Sequence, residues 1–137
     1  MKVSDYIISY IESRGVHVIF GYIGGMITHL VDSVSQNPNM QFIQTYHEQT
    51  AAIAAEGFAK ESGLFGVAIS TSGPGATNTL TGIADAMMDS TPIVVIAGQV
   101  GVGALGTDAF QEVDLVGVTQ PISKWSYQIR RAEDVAW

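Results

Sequence analysis

The chain has 137 residues, 47% hydrophobic and 14% charged, enough for one domain with its own core; having no cysteine, it excludes a disulfide framework and a thiolate metal site. A net charge of −7, with basic residues scattered apart from Arg130-Arg131, speaks against nucleic-acid binding, which depends on clustered cations. No apolar run approaches a membrane span and the N-terminus is amphipathic rather than a signal peptide, which fits a cytoplasmic protein, while the low charge fraction predicts a surface partly covered by another domain or subunit.

Val3, Tyr6, Ile7, Tyr10 and Ile11 recur at helical spacing and predict a first helix closed by Gly15. Residues 17–20 read as a short buried strand. Gly21-Tyr22-Ile23-Gly24-Gly25 then reads as a tight turn into a second helix, which reaches Gln36 and is broken by Asn37-Pro38-Asn39. Residues 42–45 are a second strand leading straight into a helix from Glu48 that stops at Gly63. Residues 66–71 form a third strand, followed by the loop Ser72-Gly73-Pro74-Gly75 and a helix through Met88; residues 92–97 are a fourth, wholly apolar strand. This alternation predicts an α/β fold, a three-layer sandwich with a mostly parallel sheet and helices on both faces. Ligands of such sheets lie at the carboxyl ends of the strands, where the turns GYIGG, TYHEQ, TSGPG and AGQ all fall. Residues 124–129 read as a further strand and 132–137 as the first turns of a helix. So short a turn, ending on Trp137, is not stable alone and predicts a piece of something longer, truncated at its C-terminus.

His47-Glu48-Gln49 opens the run HEQTAAIAAEGFA. Glu48, Ala52, Ala55 and Ala59 share one helix face, so a single carboxylate heads an alanine stripe that lets another surface come close. Desolvation favours the protonated form of a carboxylate, as acid/base chemistry near neutral pH requires. Thr45-x-x-Glu48 also matches a capping box, in which Glu48 satisfies an orphan backbone N–H. The segment alone leaves both readings open. His47 falls roughly a hundred degrees around the helix from Glu48 and receives no catalytic role. His17 and His29 have no partner at ligand spacing, so no metal site is assigned. Glu56 and Lys60 form an i,i+4 pair on an expected solvated face. The loop at 72–75 precedes a helix and could cradle a phosphate there, but no lysine follows it as in a P-loop.

GYIGG (21–25), HEQTAAIAAEGFA (47–59), TSGPGATNTLTGIADAMMDSTPIVVIAGQV (71–100) and GTDAFQE (106–112) occur in this order. Together they resemble the N-terminal pyrimidine-binding domain of thiamine-diphosphate enzymes, and GTDAFQE points within them to the acetolactate (acetohydroxyacid) synthase type. The resemblance spans essentially all of residues 1–137 as one such domain, with its last strand, the central domain and the diphosphate- and Mg-binding domain absent from the chain. It implies that Glu48 is the catalytic acid/base, hydrogen-bonded to a ring nitrogen of the cofactor's aminopyrimidine so that the thiazolium carbon loses its proton. Ile23, Gly24, Gly25, Thr71, Pro74, Gly75 and Asn78 are then the cofactor-binding residues, although Asn78 is as well placed to bond local backbone. Ile23 stands where the family usually carries proline, a departure that bears on the rigidity of the turn and on the pocket mouth. Phe110 and Gln111 resemble the pair that faces the substrate, against the general tendency of phenylalanine to be core.

The resemblance further implies thiamine diphosphate as cofactor, with Mg and, in many members, FAD held by domains missing here. It implies a homo-oligomer, dimer or tetramer, with the site at the subunit interface and a small 2-oxo acid as substrate, and no nucleic-acid or membrane partner. The implied reaction decarboxylates pyruvate and joins the product to a second 2-oxo acid, the isolated chain being inactive. Two alternatives stay open: another thiamine-diphosphate-dependent lyase or decarboxylase, and a non-catalytic α/β dimerisation module.

Overall fold

The computed structural model describes residues 1–136; the expectation for Trp137 lies outside them. Strands β1 (Val18–Gly21), β2 (Gln41–Gln44), β3 (Gly66–Ser70) and β4 (Ile93–Ala97) form one all-parallel sheet in the order β2-β1-β3-β4. Before β1 comes helix α1 (Val3–Ser13), and α2 (Thr28–Gln36) and α3 (Glu48–Ser62) fill the next two connections. The third holds α4 (Pro74–Thr77) and α5 (Leu80–Met88), and α6 (Leu115–Thr119) follows β4.

Alternation along the strands builds two cores. Ile19, Val67 and Ile69 join Ile8, Ile11, Val16, Ile27 and Val34 from the α1 and α2 side. Between them in sequence, Phe20 and Ala68 join Ala51, Ala55, Ile93 and Val95 on the α3 side. Both faces of the sheet are therefore covered, every residue of β3 is buried, and the three-layer α/β fold expected from the alternation is the one formed. Gly15 and Gly63 take the left-handed conformation just beyond α1 and α3 (φ 86° and 71°), which only glycine adopts cheaply.

The order of the strands fixes where a ligand goes. From β1 the chain moves outward to β2, then crosses back over β1 to β3 and on to β4. Right-handed crossovers put α2 and α3 on opposite faces. The connections leaving β1 and β3 therefore diverge, and a crevice opens between the carboxyl ends of these two neighbours.

Strand boundaries lie within a residue of expectation, but other readings need correction. The helix after TSGPG is two pieces, because Thr79 turns both its N–H (3.1 Å) and its hydroxyl (2.7 Å) onto the Ala76 carbonyl. Those i−3 bonds interrupt the α-helical ladder. Residues 124–129 are not a strand. Trp125, Tyr127 and Ile129 do alternate, but no sheet edge pairs with them; they stay largely exposed, and Trp125 stacks on Tyr127 at 5.5 Å. A period-two pattern makes a strand only where a neighbour supplies the ladder. Nor are Glu56 and Lys60 a solvated face: Glu56 is 2% exposed. Lys60 Nζ lies 2.7 Å from its Oε1 and 2.6 Å from Asp89 on the far side, and the hydrogen bonds to Asp89 and then Glu56 hold the ammonium above its ordinary value.

Candidate functional site

At the crevice, Gly21 ends β1 opposite Ile69 of β3, and the two following turns meet. A Cβ on Gly24 would lie 2.5 Å from the Cβ of Thr71, closer than atoms approach. One on Gly75 would lie 2.6 Å from Thr71 Cγ2 and 2.9 Å from Glu48 Oε1. Segments following β1, β2 and β3 thus converge with bare backbone between them. Gly25, beside them, faces open space where a side chain would stand, and Ile23 is half-exposed at the same turn.

Glu48 reaches this point through the end of β2. The Thr45 N–H still bonds the Gly21 carbonyl at 2.7 Å, which keeps the chain extended past the last rung. The N-cap role passes to His47, whose Nδ1 accepts the Gln49 N–H at 3.2 Å, so His47 precedes the helix rather than lying around it. Thr45 spends its hydroxyl on the His47 carbonyl at 3.0 Å. Glu48 becomes the first helical residue, two short of the position a capping box needs, and that reading is replaced. Its side chain is 6% exposed, above the buried Ala52, Ala55 and Ala59.

Asn78 does not bond local backbone with its side-chain amide. That amide crosses 30 positions to donate from Nδ2 to Glu48 Oε2 at 2.9 Å. Pro74 opens the short helix α4 that carries Asn78 at its C-terminal end, and Gly73, with φ 61°, makes the turn into it. The Ser72 hydroxyl in this turn is fully buried and has no hydrogen-bond partner among the described residues. Glu48 thus keeps one carboxylate oxygen unclaimed beside bare backbone, able to accept a hydrogen bond when ionised or to donate one when protonated.

The GTDAFQE segment comes up against the same turn. A Cβ on Gly73 would lie 2.7 Å from the Gln111 carbonyl oxygen, so the backbone of Gln111 seats on Gly73. Phe110 is 85% exposed and is not core. The loop is held by Glu112, which reasoning from the sequence missed. Its carboxylate accepts the N–H of Gly106, of Thr107 at 3.2 Å and of Ala109 at 3.2 Å. These bonds, that of Gly106 foremost, hold the carboxyl below its ordinary value. The one available signal was an acid closing a run of turn residues. Gln99, beyond β4, anchors the other end by donating to the Val113 carbonyl at 2.8 Å. Among the described residues, no group of three His, Asp or Glu side chains is placed to hold a metal ion.

An open parallel α/β domain with a buried carboxylate, Glu48, at its switch point has the arrangement of a ligand-binding α/β domain. The family described as "Thiamine pyrophosphate enzyme, N-terminal TPP binding domain" matches residues 1–118, and the chain belongs to that family. It is 50% identical over 132 residues to the acetolactate synthase large subunit of Lactococcus lactis, covering 96% of this chain and 23% of that protein. Over 135 residues it is 47% identical to a probable acetolactate synthase large subunit of Methanocaldococcus jannaschii, covering 98% of this chain and 23% of that one. It is also 42% identical to the large subunit of acetolactate synthase isozyme 2 of Escherichia coli, with 98% and 24% covered. The chain thus spans about a quarter of the length of these relatives.

Proposed function

We propose that this domain is the pyrimidine-binding half of the active site in an acetolactate synthase-like enzyme. The observation that carries the reading is Glu48: a carboxylate 6% exposed, with one oxygen held by Asn78 and the other beside Gly75 and unclaimed. Thiamine diphosphate, when bound, supplies the carbon nucleophile and electron sink for decarboxylating a 2-oxo acid. Glu48 Oε1 holds or passes the proton at a ring nitrogen of its aminopyrimidine. Gly24, Gly25, Thr71, Pro74 and Gly75 give the ring its flat walls, Gly24 and Gly75 because no Cβ fits at either position. Ile23 edges the mouth, and Phe110 and Gln111 face the substrate from the loop that Glu112 holds. Pyruvate is the donor and a second 2-oxo acid the acceptor.

Magnesium, the diphosphate and any FAD are bound by parts of the enzyme outside these residues, the site is completed in a homo-oligomer, and the enzyme works in the cytoplasm. The 137-residue chain alone is inactive.

The test is acetolactate formation by the full-length enzyme carrying this domain, with pyruvate, thiamine diphosphate and Mg, beside its Glu48→Gln variant. Gln keeps the size and removes the proton-holding acid. We expect acetolactate from the parent and a loss of at least ~100-fold in the variant, the scale of an acid/base group. No acetolactate from the parent would end the synthase reading. An undiminished variant would end the role given to Glu48.

A further inference from the structure

We infer that Asn78 is a positioning residue that acts through Glu48: it claims Oε2 and so commits Oε1 to the cofactor. The inference rests on the reading of Glu48 above and assigns a role to a residue that the resemblance treats only as a polar contact of the cofactor itself.

Three observations carry it. Asn78 Nδ2 donates to Glu48 Oε2 at 2.9 Å, so one of its two amide N–H groups is committed to the acid. Oε1 makes no hydrogen bond among the described residues, and it lies where the missing side chain of Gly75 leaves room. No ion pair reaches Glu48 among the described residues.

The chemistry of the donor matters. An arginine or lysine in its place would pair the charge and hold the carboxylate as an anion. A neutral amide fixes the orientation of the carboxylate without cancelling its charge. One oxygen is tied to the body of the domain, and the other stays free to take or share a proton. The two residues stand 30 positions apart, on the first turn of α3 and the last of α4. The alignment is therefore set by tertiary packing, which brings α3 against α5, the helix that begins just after Asn78.

The experiment is a double-mutant cycle in the full-length enzyme, using Asn78→Ala, Glu48→Ala and the pair, since Gln at position 48 would keep an oxygen that accepts from Asn78. Calorimetric affinity for thiamine diphosphate with Mg is read beside kcat and KM for pyruvate. Asn78→Ala should lower kcat by about ten- to a hundredfold, the worth of a hydrogen bond to a charged group, and leave the KM for pyruvate unchanged. It should weaken the cofactor in the Glu48 background, yet change affinity and kcat by less than about twofold once Glu48 is Ala. Asn78→Asp keeps the size, sets carboxylate against carboxylate and should be worse than Ala, which also guards against an Ala variant that fails to fold.

The same loss from Asn78→Ala in both backgrounds would overturn the inference, because Asn78 would then act on the ligand or on folding by itself. A wild-type-like Asn78→Asp would overturn it too. If Glu48→Ala alone changed neither affinity nor kcat, the reading of Glu48 would fall first, a result separable from failure of the cycle.

Discussion

The two faces of the sheet are packed by different means. On the α1 and α2 side, eight large aliphatic residues interlock, Ile8, Ile19 and Ile69 among them. On the α3 side the buried set is three alanines, and a glycine faces α3 from β3 and from α5. A Cβ on Gly82 of α5 would lie 2.5 Å from the Ala52 Cβ, and one on Gly66 of β3 would run into the Ala55 carbonyl. Large side chains bury more apolar area and so contribute more to stability. Small ones let backbones approach, which transmits position. The first face holds the domain together; the second sets the alignment of Glu48 with Asn78.

Three perturbations sharpen that contrast. The largest effect belongs to the aliphatic face: Ile8→Ala, at a buried position of α1 away from the crevice, should cost about 2–5 kcal/mol in urea unfolding. In molecules that remain folded, cofactor affinity should hardly move. A loss of affinity matching the loss of stability would erase the division between the faces.

Gly82→Ala comes next. Pushing α5 from α3 should cost about 1–3 kcal/mol, the range for overpacking, and here the cofactor should weaken as well. Ala52→Gly in the same chain removes the opposing methyl and should restore much of the cofactor affinity; stability should recover less, because the backbone of Ala52 and Ile53 stays 3.1 Å from the added Cβ and a mid-helix glycine costs about 1 kcal/mol. Failure of that rescue would show that the Gly82–Ala52 contact is not what spaces the helices.

The smallest effect is confined to the GTDAFQE loop. Glu112 has its folded-state value pushed below the ordinary 4.5 by the N–H donors of Gly106, Ala109 and Thr107. Its hold on the loop is therefore complete above that ordinary value and is lost only as pH falls through the lower, folded-state one. Amide exchange at those three residues, corrected for intrinsic rate, should stay flat from neutrality down to 4.5 and rise below it. Glu112→Gln should show the raised exchange already at neutral pH, with global stability little changed. Loosening that began well above 4.5 would point to a different group.

Most of the sheet and its carboxyl edge could be read from the chain, because strands buried on both faces are apolar runs and each turn carries glycine. The burial of Glu48 could be read too, since an acid at the head of an alanine stripe stands out. What misled were signals that assume a local partner. Thr45-x-x-Glu48 has the spacing of a capping box, but the β2 ladder extends one residue further and moves the helix start. Residues 124–129 have the alternation of a strand without an edge to join. Glu56 has the spacing of a surface pair, but its position on the helix faces inward.

Composition, periodicity and turn residues by themselves determined the α/β class, the order of the elements and the edge at which the glycine turns gather, because each follows from interactions within a few residues. Tertiary structure alone decided that Asn78 meets Glu48 across 30 positions, that Gln111 seats on Gly73 and that Glu112 gathers its loop. The first two depend on distances between elements brought together by packing, and no local pattern encodes how closely two backbones approach. The third is local in sequence but turns on positive φ at Asp108 and Gln111, conformations that side-chain-bearing residues adopt only when surrounding contacts outweigh their cost.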